Sequence, residues 1–168
     1  ILIGGDFIAV GGLLRPRFVQ LNSSGTPVSA TLTISDTVET IQELPDGKVL
    51  IGGAFTPIGA FTRTRLARLN ADMTLDSTYN ASASGTVFSI AQLPGGKVMI
   101  GGDFLQVNGV SRFRLARLNA DGSLDTTVNP SANSTVLSIA VQSDGKFIAT
   151  GNFTVANAVG RDFVARFN

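Results

Sequence analysis

One unit of about 49 residues recurs along this chain, and recurrence at a fixed period restricts the fold to an array of similar parts. Each copy opens on an apolar strand that ends in glycine and phenylalanine. The four are Ile1-Leu-Ile-Gly-Gly-Asp-Phe7, Val49-Leu-Ile-Gly-Gly-Ala-Phe55, Val98-Met-Ile-Gly-Gly-Asp-Phe104 and Phe147-Ile-Ala-Thr-Gly-Asn-Phe153. A second strand ending in Asn follows: Arg17-Phe-Val-Gln-Leu-Asn22, Arg65-Leu-Ala-Arg-Leu-Asn70, Arg114-Leu-Ala-Arg-Leu-Asn119 and Phe163-Val-Ala-Arg-Phe-Asn168. The whole chain reads as one repeat domain, with repeats over 1–48, 49–97 and 98–146 and a partial one over 147–168. It opens and closes inside a repeat, so a piece of a larger array is expected.

Within a unit, Thr135 to Gln142 is β-branched and apolar, as a buried strand is, and Ser143-Asp-Gly-Lys146 supplies a turn. All three lysines (Lys48, Lys97, Lys146) occupy this turn position and are expected to be solvated tips. The returning strand, for example Val98, Met99 and Ile100, is apolar on both alternations, which requires cover on both faces. No segment keeps a 3.6-residue period. The fold class is therefore all-β. A stack of four-stranded sheets of this size points to a β-propeller of about three and a half blades. A β-trefoil is the alternative, because three units of this length suit it, but the doubly apolar strands and the fourth copy weigh against it. Propellers close with roughly 4–8 blades, so ring completion by sequence outside this chain or by a second chain is expected.

The combination Ser138-Ile-Ala-Val-Gln-Ser-Asp-Gly-Lys146, Ile100-Gly-Gly-Asp-Phe104 and Arg114-Leu-Ala-Arg-Leu-Asn-Ala-Asp-Gly-Ser-Leu-Asp125 resembles the delta-60 repeat. That family consists of propeller-like units in tandem in large bacterial proteins, often secreted or surface-attached. The resemblance implies a propeller fold and an extracellular or cell-surface setting. It implies no reaction. The first repeat departs most, with Asn22-Ser-Ser-Gly-Thr-Pro27 in place of the Asn-Ala-Asp-Gly run, and the last carries Thr150 for the first Gly of the pair.

Composition removes several function classes. No Cys and no His means no disulfide, no thiolate nucleophile, and neither the commonest general base nor the commonest transition-metal ligand. A net charge of +1, with arginines that follow the repeat and no interleaved aromatics, argues against nucleic acid. No apolar run reaches the roughly 20 residues of a membrane helix. No cofactor is expected.

Four features are identical in every copy: the second Gly (Gly5, Gly53, Gly102, Gly151), the Phe two residues on (Phe7, Phe55, Phe104, Phe153), one Arg (Arg15, Arg63, Arg112, Arg161) and the closing Asn (Asn22, Asn70, Asn119, Asn168). Whatever recurs in every unit serves every unit, so these read as structural: Gly for close backbone approach, Phe to fill the gap between blades, Arg to hold carbonyls or a carboxylate, Asn to close a turn. Asp6 and Asp103 either pair with the repeated Arg or line a channel. Asn119-Ala-Asp-Gly-Ser-Leu-Asp125 has part of a calcium loop's oxygen pattern, but a hydrogen-bonded turn fits it better. Catalysis would need a carboxylate pair, as in a glycoside hydrolase. Specificity belongs where the copies diverge, in Ile8–Leu14, Thr56–Thr62, Leu105–Ser111 and Thr154–Gly160. Each carries an apolar residue at the matching place (Leu13, Phe61, Val110, Val159), either tucked under the loop or lining a face that contacts a partner. The expected role is a non-catalytic binding, adhesion or scaffold module whose partners are proteins or further blades. A glycan-binding propeller is the alternative, and a carboxylate hydrolase the less favoured third.

Overall fold

A strand that is apolar on both faces needs a sheet on either side. The computed structural model, which describes residues 1–28, 32–59 and 61–168, provides that arrangement in four successive antiparallel blades. Blade 1 holds β1 (Leu2–Gly4), a short hairpin of β2 (Ala9–Val10) and β3 (Leu13–Leu14), and β4 (Phe18–Gln20), with β1 paired to β4. Blade 2 is the meander β5 (Val38–Glu43), β6 (Val49–Gly53) and β7 (Leu66–Leu69). Blade 3 repeats it with β8 (Val87–Gln92), β9 (Val98–Gly102), the hairpin β10 (Gln106–Val107) and β11 (Val110–Ser111), and β12 (Leu115–Leu118). Blade 4 has β13 (Val136–Val141), β14 (Phe147–Gly151), the hairpin β15 (Val155–Ala156) and β16 (Val159–Gly160), and β17 (Val164–Phe167).

The expected fourth strand is a single bridge in each of the first three blades: Leu21 to Pro27, Leu69 to Leu75, and Leu118 to Leu124. In blades 2 and 3 the segment after this bridge, the strap, turns where Asp76 and Asp125 accept the backbone N–H groups of Thr78 and Thr127 at 3.0 and 2.9 Å. Such local side-chain bonds compete with sheet pairing and turn the chain away.

Three hydrophobic cores lie between the blades. On β6, Val49 and Ile51 join the core shared with Phe18 of blade 1, whereas Leu50 joins the core shared with Val87 and Ile100 of blade 3. On β9, Val98 and Ile100 face back toward blade 2, while Met99 packs with Val136 and Ala149 of blade 4. Every residue of β6 and β9 is buried. The two-period alternation of a strand thus divides its apolar side chains between two neighbours.

The Gly pair sets how closely this stack can form. A Cβ on Gly52 would stand 2.8 Å from Val87 Cγ1 of the next blade, and one on Gly101 would stand 2.6 Å from Val136 Cγ1. The second glycine meets backbone of its own blade: at Gly53, Gly102 and Gly151 a Cβ would lie 2.1 Å from the carbonyl oxygen of Thr37, Thr86 and Thr135. A register shift in each first strand, between Val38 and Thr40, Val87 and Ser89, and Val136 and Ser138, accompanies this approach. In blade 4 Thr150 stands in the first Gly's place. Replacing Gly101 with Ala is expected to lower the unfolding free energy by about 1–3 kcal/mol through overpacking. Urea denaturation should show this as a lower midpoint at unchanged slope; an unchanged midpoint would mean that the blades do not depend on this contact.

Candidate functional site

The titratable groups of the described residues are mostly spent within the blades. Asp76 is 4% exposed and accepts from Lys48 Nζ at 2.8 Å and Arg68 Nε at 2.9 Å, as well as from the Thr78 hydroxyl at 2.6 Å. One repeat later Asp125, 3% exposed, accepts from Lys97 at 2.6 Å, Arg117 at 2.9 Å and Thr127 at 2.6 Å. Burial alone would push the Asp76 carboxyl up, but Lys48, Thr78 and Arg68 outweigh it and hold it well below the usual carboxylate range. Asp125 is held equally low, by Lys97 first and then by Thr127 and Arg117. Lys48 and Lys97 are therefore bound to buried acids, which corrects the expectation of solvated tips: a turn residue with a long stem can reach inward to an acid on the returning strap. Arg68 extends the clamp to the next blade, donating to the Ala120 carbonyl at 2.6 Å, and its guanidinium lies 4.5 Å from the Tyr79 ring centroid.

Asp6 and Asp103 form ion pairs with Arg17 and Arg114, two positions beyond the repeated arginine. Arg17, Arg65 and Arg114 sit at φ 68°, 67° and 67°, with Phe163 at 64° in the fourth copy. Each of these residues donates its N–H to the carbonyl of the repeated Phe and accepts from the second Gly, closing a bulge around the Gly-x-Phe segment. That conformation aims the side chain back at the residue between Gly and Phe, so Arg65 meets the Ala54 carbonyl where its counterparts meet aspartate. The repeated arginines instead hold backbone carbonyls: Arg15 that of Leu14 at 2.7 Å, Arg63 that of Ser77 at 3.2 Å, Arg112 that of Ser111 at 2.8 Å and Arg161 that of Gly160 at 2.8 Å. Phe55, Phe104 and Phe153 are fully buried. Asn22 accepts the N–H groups of Ser24 and Thr26 at 3.0 and 2.9 Å, and Asn119 donates to Ser123 Oγ at 2.9 Å, so the Asn-Ala-Asp-Gly run is a hydrogen-bonded turn. Among the described residues no group of three or more acidic side chains gathers as a metal set would.

The divergent segments are short hairpins fixed to the rest of the blade. Ser84 Oγ accepts the N–H groups of Leu105 and Gln106, each at 3.0 Å, and Asn108 Oδ1 accepts that of Ser82 at 2.8 Å. Blade 4 uses Asn133 and Asn157 in the same way. In blade 2 the hairpin is a bridge between Ile58 and Phe61; Ala60 lies outside the described residues. Leu13, Phe61, Val110 and Val159 are 46, 50, 44 and 48% exposed, so none is tucked under its loop.

The profile described as "Domain of unknown function (DUF5122) beta-propeller" matches residues 1–27, 44–79, 93–127 and 142–168. The chain belongs to the DUF5122 β-propeller family. No curated protein matches it. The second and third matched stretches of this DUF5122 chain run from the hairpin turn to the strap, and the family description names a fold and no activity. That settles the architecture as a propeller and removes the trefoil alternative.

A concavity of about 740 Å³ opens among the hairpin turns and not beside the divergent hairpins. Its wall is mostly apolar and backbone, with Pro45, Pro94 and Val141 prominent, and its one arginine, Arg68, is already taken by Asp76. The clamp residues Asp76 and Asp125 were missed by a reading of the strand motif alone. The signal was available: lysine and aspartate recur together 28 residues apart, and the first repeat, with Val28 in the acid's place, has Gln20 in the arginine's place.

Replacing Asp125 with Asn is expected to cost about 1–2 kcal/mol, less than a fully buried pair because Lys97 is partly hydrated. The pH dependence has a definite sign. The unfolded carboxyls take up protons near pH 4, whereas Asp76 and Asp125 in the folded chain resist protonation to lower pH. Their contribution is complete above the ordinary carboxylate range and is lost as the pH falls toward the folded values. Urea midpoints measured from about pH 6 down to pH 2 should fall more steeply for the parent than for the D76N/D125N variant; parallel profiles would contradict the clamp.

Proposed function

We propose that this DUF5122 segment is a non-catalytic binding module, serving adhesion or scaffolding in a larger bacterial surface, secreted or phage-associated assembly. The exposure of Leu13, Phe61, Val110 and Val159 at one place on every hairpin carries this reading. A propeller that needed these residues only for its own core would bury them, as it buries the repeated Phe. In blades 3 and 4 they stand on loops whose backbone is fixed by Ser84, Asn108, Asn133 and Asn157, so little conformational freedom is lost when a partner covers them. Exposed apolar side chains on a rigid frame suit a protein surface. The extracellular setting rests on the resemblance to the delta-60 repeat. The ion pairing of Asp6 and Asp103 weighs against a hydrolase, because neither carboxylate stands uncommitted for acid or base work.

A glycan-binding reading has one observation in its favour. Phe113, 50% exposed, borders a recess of about 270 Å³ between the hairpins of blades 3 and 4, where Asn133 and Asn157 also lie. An aromatic face beside amide groups suits a sugar ring.

The readings separate in one comparison of variants. The parent chain is offered to surface and secreted protein fractions and to a glycan array. Saturable protein binding that the F61S/V110S variant loses, at an unfolding free energy within about 0.5 kcal/mol of the parent, is expected. Binding that persists undiminished in that variant would overturn the proposal. Sugar binding lost on Phe113→Ala would favour the glycan reading, and sugar release lost on Asp103→Asn would favour the hydrolase.

A further inference from the structure

Two places in the repeat change together in three of the four blades: the residue between the second Gly and the Phe, and the residue two positions beyond the repeated Arg. Blades 1 and 3 pair Asp6 with Arg17 and Asp103 with Arg114. Blade 4 carries neither charge, with Asn152 and Phe163 at the two places. Blade 2 breaks the rule, since Ala54 replaces the acid while Arg65 keeps the cation. None of the ion pairs among the described residues includes Arg65. Its guanidinium donates to the Ala54 carbonyl, and its Nε is buried with no acceptor among the described residues. A partly buried cation without a counter-charge is costly. The backbone does not ask for arginine here, because Phe163 takes the same left-handed conformation, at φ 64° against 67°.

The neighbouring blade supplies a second observation. Asp103 accepts from Arg114 of its own blade and from the Thr135 hydroxyl of blade 4 at 3.2 Å, so one carboxylate bridges two blades. Val87 rests on Gly52 as Val136 rests on Gly101, which sets Thr86 toward Ala54 as Thr135 is set toward Asp103. Thr86 is half-buried, and its hydroxyl makes no hydrogen bond among the described residues. Thr37 turns its hydroxyl to the preceding Asp36, but the residue before Thr86 is Gly85. At the seam of blades 2 and 3 the arginine and threonine donors therefore remain, and only the carboxylate between them is gone. The place is reachable from solvent: in the matching seam the Asp103 side chain is 53% exposed.

We propose that the seam of blades 2 and 3 is a carboxylate-binding site, in which an Asp or Glu side chain of a partner protein takes the place that Asp103 fills between Arg114 and Thr135. Arg65 supplies the charge and a planar set of donors matched to a carboxylate, and the Thr86 hydroxyl supplies a further donor. A protein side chain suits the seam better than an acidic sugar. Thr64 stands where blade 3 has Phe113, so no aromatic face awaits a sugar ring. Phe61, four residues before Arg65, offers the same partner an apolar contact and is 50% exposed. The assignment to a protein side chain rests on the binding role proposed above; the carboxylate site itself does not.

The test titrates the chain with sodium acetate, against sodium chloride at equal ionic strength, and follows the Arg65 Nε–H and the Ala54 and Thr86 amides by NMR. A saturable acetate response beyond that of chloride is expected. Ala54→Asp should fill the site from within, weakening acetate about tenfold or more while the urea midpoint stays at or above the parent's. Arg65→Gln should lose the response by the same margin, and it decides alone if Ala54→Asp does not fold. The F61S/V110S variant should keep the response, which separates failure here from failure of the proposed binding role. A blocked glutamate should bind at least as tightly as glucuronate. No response beyond chloride, or an equal response in Ala54→Asp or Arg65→Gln, would overturn the site. Tighter binding of glucuronate than of the blocked glutamate would overturn its assignment to a protein side chain.

Discussion

The spacing of the whole stack is set where the valine that opens each first strand rests on the first glycine of the preceding blade. Val38 lies against Gly4, Val87 against Gly52 and Val136 against Gly101, each so close that no side chain fits between. Blade separation therefore depends on an absence. With the sheets held this close, the alternating apolar residues of β6 and β9 reach cores on both sides, and Phe55 and Phe104 are sealed completely. The second glycine answers a different demand, admitting a backbone carbonyl of its own blade at the first-strand bulge. Two adjacent glycines thus couple stacking between blades to strand pairing within one.

Where stacking lets blades slide, the acid clamp adds direction. Asp76 ties the strap of blade 2 to the turn lysine and to an arginine on β7, and that arginine donates across to the Ala120 carbonyl in blade 3. A buried carboxylate is tolerated here because each of its oxygens has partners; removing one cation would leave a desolvated charge. Blade 1 has lost acid and arginine together, at Val28 and Gln20, so neither charge is stranded. In blade 4 Arg166 donates to Gln142 at 2.7 Å and to Asp144 at 3.1 Å. The clamp behaves as a unit.

Much of this was legible in the sequence, because repetition separates what every blade needs from what one blade has. The doubly apolar strand announced a sheet on each side, and the Gly pair announced a close approach. Three things stayed hidden for physical reasons. In blades 2 and 3 the strap turns where Asp76 and Asp125 are held, and an aspartate in a turn motif looks alike whether it bonds its own backbone or a distant cation. The left-handed Arg17, Arg65 and Arg114 have no sequence signature, since φ near 67° is imposed by the bulge and not by the residue. The lysines looked solvated because the turn was read alone, without the strap that returns 28 residues later.

The same comparison between copies bears on where recognition resides. Gly, Phe, Arg and Asn recur because each answers a contact present in every blade, so they leave little freedom for specificity. The hairpins vary in sequence, yet Ser84, Asn108, Asn133 and Asn157 tie those of blades 3 and 4 to the strand that leads into the blade. A loop that is variable in side chain and fixed in backbone differs from one that is merely unconstrained. Leu13, Phe61, Val110 and Val159 present three kinds of side chain from matching places on the hairpins. An unconstrained loop would lose ordering entropy at every contact, whereas a tied one loses mainly side-chain freedom. In such a molecule the scaffold residues decide where contact is made, and the hairpin residues decide with what.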